Sequence, residues 1–156
     1  MIAQPALRNT AFALVLAMLS ACGSQPTSVA TQRTMSPGEQ AAAIALEQVG
    51  VPYRYGGNSR AGFDCSGLVQ YSYGQAGVST PRTTGQLWAA AAPVSSAEMR
   101  TGDLLFFRID GKMSHVGMYL GRGRFVHAPQ SGRTVSVASL DAPFYRRAFI
   151  RAGRLY

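Results

Sequence analysis

The hydrophobic period of this chain changes near Pro93, and that change constrains the fold more than any other feature of the sequence. Before it, apolar and small residues recur at helical spacing: Ala41, Ile44, Ala45 and Val49 in one stretch, then Leu68, Val69, Ser72, Tyr73 and Ala76 in the next. After it, the segments 103–108, 115–120, 124–128, 134–138 and 145–151 read as strands, with glycine-rich turns between several of them. Helices first and antiparallel strands second predict an α+β domain, its N-terminal helices packed on an antiparallel β-sheet.

Turn and cap residues sharpen that outline. Ser36-Pro37-Gly38-Glu39 is a helix start, with Ser36 as N-cap, Pro37 in the first turn and Glu39 closing a capping box; Gly50 ends the helix. Residues 51–62 carry too much Gly and Pro for a regular element and read as loop. Asp64 is a suitable N-cap for a helix from Cys65 to about Ala76, with Gly77 after it. A weaker helix is expected over 85–91. The stretch 37–156 has the size of one domain, without an internal repeat or a second linker.

Three side chains on this frame carry chemistry. Cys65, in the run GFDCSGLVQYSY, opens the second helix, and the only two histidines, His115 and His127, fall on predicted strands. A thiol becomes a strong nucleophile when its pKa falls or a base takes its proton. A helix start supplies partial positive charge for the first, and an imidazole supplies the second. The expectation is a Cys65 thiolate paired with a protonated His115, with the helix start packed on the sheet to bring them together. A zinc site built from Cys65, His115 and His127 is the competing use of the same residues, and a thiol at a helix start argues against it.

The N-terminus reads as an address. Residues 1–21 have a charged residue at Arg8 and a short apolar run over 11–19, too short to span a bilayer permanently. The run ends in Leu19-Ser20-Ala21-Cys22, which resembles a lipobox, the recognition site of lipoprotein signal peptidase. That resemblance implies cleavage before Cys22 and acylation of its sulfur and new N-terminus; ordinary cleavage near Ala21 is the alternative. Residues 22–36 then form a flexible tether, rich in Ser, Thr and Gln. With Cys22 acylated, Cys65 is the one remaining thiol, so no intrachain disulfide is expected and stability must come from a packed core.

Charge narrows the partners. The chain carries 15 Lys+Arg against 7 Asp+Glu, and every basic residue except Lys112 is arginine. The arginines are scattered rather than clustered and belong to no nucleic-acid module, so an anionic envelope is the expected partner rather than nucleic acid.

In order and spacing, GVPYRYGG (50–57), GFDCSGLVQ (62–70), PRTTGQ (81–86), GDLLFF (102–107), SHVGMYLG (114–121) and FVHAPQSG (125–132) strongly resemble the NlpC family of cell-wall cysteine peptidases, a papain-like group. The resemblance covers essentially everything after the tether and implies a papain-like fold. Carried over residue by residue, it makes Cys65 the nucleophile, His115 the general base, His127 the residue that orients His115, and Tyr53 the tyrosine near the oxyanion site. Tyr53 is otherwise a packing residue beside Tyr55. Asp64 and Ser66 read as helix-capping groups or as substrate contacts. The implied reaction is hydrolysis of stem-peptide amide bonds in peptidoglycan, commonly between D-γ-glutamate and a diamino acid, with no cofactor or metal. The implied state is a monomer held by the Cys22 lipid, at the outer membrane facing the periplasm where such a membrane exists. Two readings compete: an amidase or acyltransferase with the same thiol chemistry, and a wall-binding lipoprotein with a vestigial cleft.

Overall fold

Helix α1 (Pro37–Leu46) begins where the capping box predicts in the computed structural model, which describes residues 33–156. Ser36 Oγ accepts from the Glu39 N–H at 3.2 Å, and Glu39 Oε2 accepts from the Ser36 N–H at 2.8 Å. The expected signal sequence, Cys22 and most of the expected tether lie outside the described residues. α1 ends at Leu46, one turn earlier than expected, and Val49 is exposed. Its buried stripe is Ala41, Ala42 and Ala45, small enough to bring the backbone close to the next helix.

The predicted loop over 51–62 contains a minimal hairpin, β1 (Asn58–Ser59) with β2 (Gly62–Phe63). Single bridges Pro52–Thr134 and Tyr53–Phe63 tie the same segment to the rest of the fold. α2 (Cys65–Gln75) follows immediately, with Asp64 as its N-cap, and α3 (Thr84–Ala90) starts on a Thr83/Gln86 capping box. Six strands complete the fold: β3 (Ala92–Val94), β4 (Leu104–Ile109), β5 (Lys112–Gly121), β6 (Arg124–His127), β7 (Ser136–Ser139) and β8 (Phe149–Arg154). They form one antiparallel sheet in the order β3-β8-β4-β5-β6-β7.

The expected strand over 145–151 is half wrong. Pro143–Ala148 is a short helix, α4, and β8 begins only at Phe149. Pro143 occupies the first helical turn, where its missing N–H costs nothing. The sequence pattern predicts no strand at Ala92–Val94, where the structure has the edge strand β3.

The sheet is buried on both faces, which explains the uninterrupted apolar run of β4. Leu104 and Phe106 join Val116, Met118 and Val126 in a cluster with Leu68, Val69 and Tyr73 of α2. Leu105 and Phe107 point the other way, into a second cluster with Tyr119, Phe125 and Ala148, against which Tyr145 of α4 packs. Gly117 is required on this second face, since a Cβ there would lie 2.6 Å from the Phe125 ring.

Candidate active site

Cys65 is the first residue of α2, half-buried, with Sγ 3.6 Å from Thr84 Oγ1 and 3.8 Å from the Ser114 carbonyl oxygen. The helix start is therefore wedged between α3 and β5. It is fixed from behind by a dense polar network. Asp64 Oδ1 accepts from the Gly67 N–H at 2.6 Å and from Ser66 Oγ at 3.3 Å, and Asp64 Oδ2 accepts from the Gly56 N–H at 3.0 Å. Arg82 grips both carboxylate oxygens, at 3.0 and 2.7 Å, and also donates to Ser66 Oγ at 3.0 Å. Gly67 makes the close approach possible, because a Cβ there would collide with the Gly57 carbonyl oxygen.

The two histidines come from neighbouring strands, β5 and β6, and meet on the second face of the sheet. His115 Nε2 lies 2.8 Å from His127 Nδ1, and His127 Nε2 lies 3.3 Å from the Tyr145 hydroxyl. Phe107 stacks near His115, Phe125 near His127, and Tyr145 stands edge-on to both Phe125 and His127. The pair is almost sealed, with His115 4% and His127 2% exposed. Because His127 engages Nε2 of His115, Nδ1 is the ring nitrogen left for another partner.

Burial dominates the electrostatics. It pushes the Cys65 thiol up, against the Thr84 hydroxyl and the Val116 and Ser66 N–H groups that draw it down, and the neighbouring Asp64 carboxylate raises it further. Burial lowers His115 to about 4 and His127 to about 3, the latter aided by repulsion from His115. Burial thus acts on both the thiol and the imidazole in favour of their neutral forms, against the ion pair expected from the helix start. A helix terminus offers only about half a unit charge, which burial of the thiol opposes.

Cys65, His115, His127 and Tyr53 all line one cavity of about 650 Å³, which Tyr145 and Arg133 also border. Asp64 and Ser66 do not line it; Asp64 caps α2 through the Gly67 N–H, whereas Ser66 Oγ caps no backbone N–H and bonds Asp64 and Arg82 instead. Tyr53 is half-buried, and burial followed by the proximity of Cys65 raises its phenol, so it is a protonated donor at neutral pH. Among the described residues no three His, Cys, Asp or Glu side chains gather in a metal-binding arrangement.

Three contributors escaped the sequence reading. Arg82 and Thr84 sit in the PRTTGQ run, which reads only as a motif, and nothing local tells which helix they touch. Tyr145 reads as a strand residue in the sequence, and its approach to His127 depends on α4, whose sole local signal is Pro143.

Helices packed on a six-stranded antiparallel sheet, with a cysteine at a helix start sharing a cavity with a bonded histidine pair, define a papain-like domain. Within that class the chain belongs to the NlpC/P60 family, which residues 50–154 match. It is 40% identical over 116 residues to the murein DD-endopeptidase MepH of Escherichia coli K12, covering 70% of this chain and 43% of that protein. It is also 40% identical over 115 residues to the bifunctional muramidase/DL-endopeptidase CwlT of Bacillus subtilis, covering 71% of this chain and 34% of the relative. Among solved structures, an NlpC/P60 family protein from Bacillus cereus superposes with a TM-score of 0.73 at 31% identity, over 78% of this chain and 41% of that one. The NlpC/p60 domain of the peptidoglycan hydrolase SagA gives 0.65 at 36% identity, over 74% of this chain and 97% of that domain. The chain spans less than half the length of these two curated relatives.

Proposed function

We propose that this protein is a peptidoglycan hydrolase that cleaves stem-peptide amide bonds by a Cys65-His115-His127 thiol mechanism. The observation that carries the reading is the 2.8 Å bond between His115 Nε2 and His127 Nδ1 beside a cavity that Cys65 also lines. That bond orients one imidazole and leaves its Nδ1 available to the thiol, which is the role a carboxylate or amide plays in other triads.

In the proposed reaction Cys65 Sγ attacks the amide carbonyl carbon while its proton passes to His115 Nδ1. The oxyanion is met by the Cys65 N–H, which has no acceptor among the described residues, and by the Tyr53 hydroxyl. Collapse breaks the C–N bond, and the proton on His115 leaves with the amine. Water then attacks the thioester carbonyl, giving one proton to His115; the C–S bond breaks, His115 returns that proton to the sulfur, and the carboxylic acid departs and ionises in solvent. Burial of both groups makes the neutral pair the ground state, so charge separation is tied to the attack itself.

The preferred bond is that between D-γ-glutamate and the diamino acid. The name of MepH, a DD-endopeptidase, supports a second reading in which the D,D crosslink is cut. Mass analysis of products from purified sacculi separates the two, with Cys65→Ala as the control. Release of neither product by the wild-type protein would defeat the hydrolase reading. Membrane attachment through acylated Cys22 belongs to the same proposal; no helix among the described residues is long and apolar enough to cross a membrane. Cys22→Ser should move the protein from the membrane to the soluble fraction, and persistent pelleting after a high-salt wash would count against the lipid anchor.

A further inference from the structure

An imidazole carries one donor and one acceptor when neutral and two donors when protonated. That rule, applied along the hydrogen-bonded chain from His115 outward, assigns a job to a residue outside the proposed triad. We infer that Tyr145 is a positioning residue for the histidine pair, its hydroxyl oxygen accepting the His127 Nε2–H and so holding His127 in the tautomer that presents a bare Nδ1 to His115. The inference rests on the roles proposed above for Cys65 and His115.

When the thiol gives its proton to His115, both nitrogens of that ring become N–H donors. His115 Nε2–H then points at His127 Nδ1 across 2.8 Å, so Nδ1 must be an acceptor and the one hydrogen of His127 must sit on Nε2. His127 is 2% exposed, and the Tyr145 oxygen at 3.3 Å is the one hydrogen-bond partner of Nε2 among the described residues. The reverse direction, Tyr145 donating to Nε2, would place a hydrogen on His127 Nδ1 and set two donors against each other at 2.8 Å. Tyr145 Oη has no other hydrogen-bond partner among the described residues, and the residue borders the cavity, so its own hydrogen is free to turn toward it. Burial raises the Tyr145 phenol, which keeps it neutral at working pH. The aromatic ring has a separate, packing role against Phe107 and Phe125.

Tyr145→Phe keeps that packing and removes only the acceptor. The expected result is a slower reaction of Cys65 with iodoacetamide at neutral pH, by about tenfold, and an alkylation profile displaced upward by about one pH unit. The thermal midpoint should stay near the wild-type value. In the wild-type protein, nitrogen NMR of labelled imidazoles should report the His127 hydrogen on Nε2. An unchanged alkylation profile in a folded Phe variant would overturn the inference, and so would a wild-type His127 with its hydrogen on Nδ1. Should the variant fail to fold, the wild-type spectrum decides alone. Neither measurement uses a peptide substrate, so normal alkylation without sacculus hydrolysis would defeat the substrate reading and leave this one standing.

Discussion

Lowering the pH from 7.5 to 5 should destabilise this domain through its two histidines. In the unfolded chain both titrate near 6.5, whereas burial holds His115 at about 4 and His127 at about 3. A group whose folded value is depressed leaves stability intact above its unfolded value and removes it as the pH falls toward the folded one. The window therefore runs from about 6.5 down to about 4 for His115 and to about 3 for His127, where the unfolded state binds protons that the folded state refuses. At pH 5 each histidine contributes a loss of about 2 kcal/mol, so the pair removes about 4 kcal/mol. For a domain of this size that corresponds to a fall in melting temperature of roughly 10–20 °C. The assay is a thermal melt by circular dichroism at half-unit pH steps, for the wild type and for His127→Asn. The variant lacks one of the two protons and should show about half the slope. A wild-type midpoint that moves by less than about 3 °C, or an Asn variant with the full slope, would show that the histidines are not buried as neutral rings.

Three further outcomes follow from named contacts. If His127 only positions His115, His127→Asn should retain far more single-turnover acylation of a tripeptide stem than His127→Ala, by tenfold or more; equal loss in two folded variants would assign proton chemistry to His127. Arg82→Met strips the Asp64 carboxylate of its charged partner and should cost about 1–3 kcal/mol in urea unfolding, and an unchanged midpoint would make the network behind α2 ornamental. Gly67→Ala forces a methyl into the Gly57 carbonyl. It should either prevent folding or displace the start of α2, read as loss of Cys65 alkylation at neutral pH; wild-type melting and alkylation together would contradict the close approach.

Local chemistry was enough to outline the elements. The Ser36 and Asp64 caps, the α+β order and the Cys65 helix start are set by residues within a few positions of one another, and α1, α2 and four of the strands appear where those signals put them. The motif order was likewise sufficient to identify the family, which the match over residues 50–154 establishes. What the linear chain withheld depends on long-range packing. Residues 145–151 carry the aromatic and apolar content of a strand, and only docking of α4 on the second sheet face turns their first half into a helix. Arg82 finds Asp64 eighteen residues away because α2 and α3 come together, and no periodicity records that meeting. Burial also works against the Cys65–His115 ion pair for the same reason. Proximity to a helix start can be read from sequence, but a pKa answers to burial from every direction, and burial exists only once both faces of the sheet are covered.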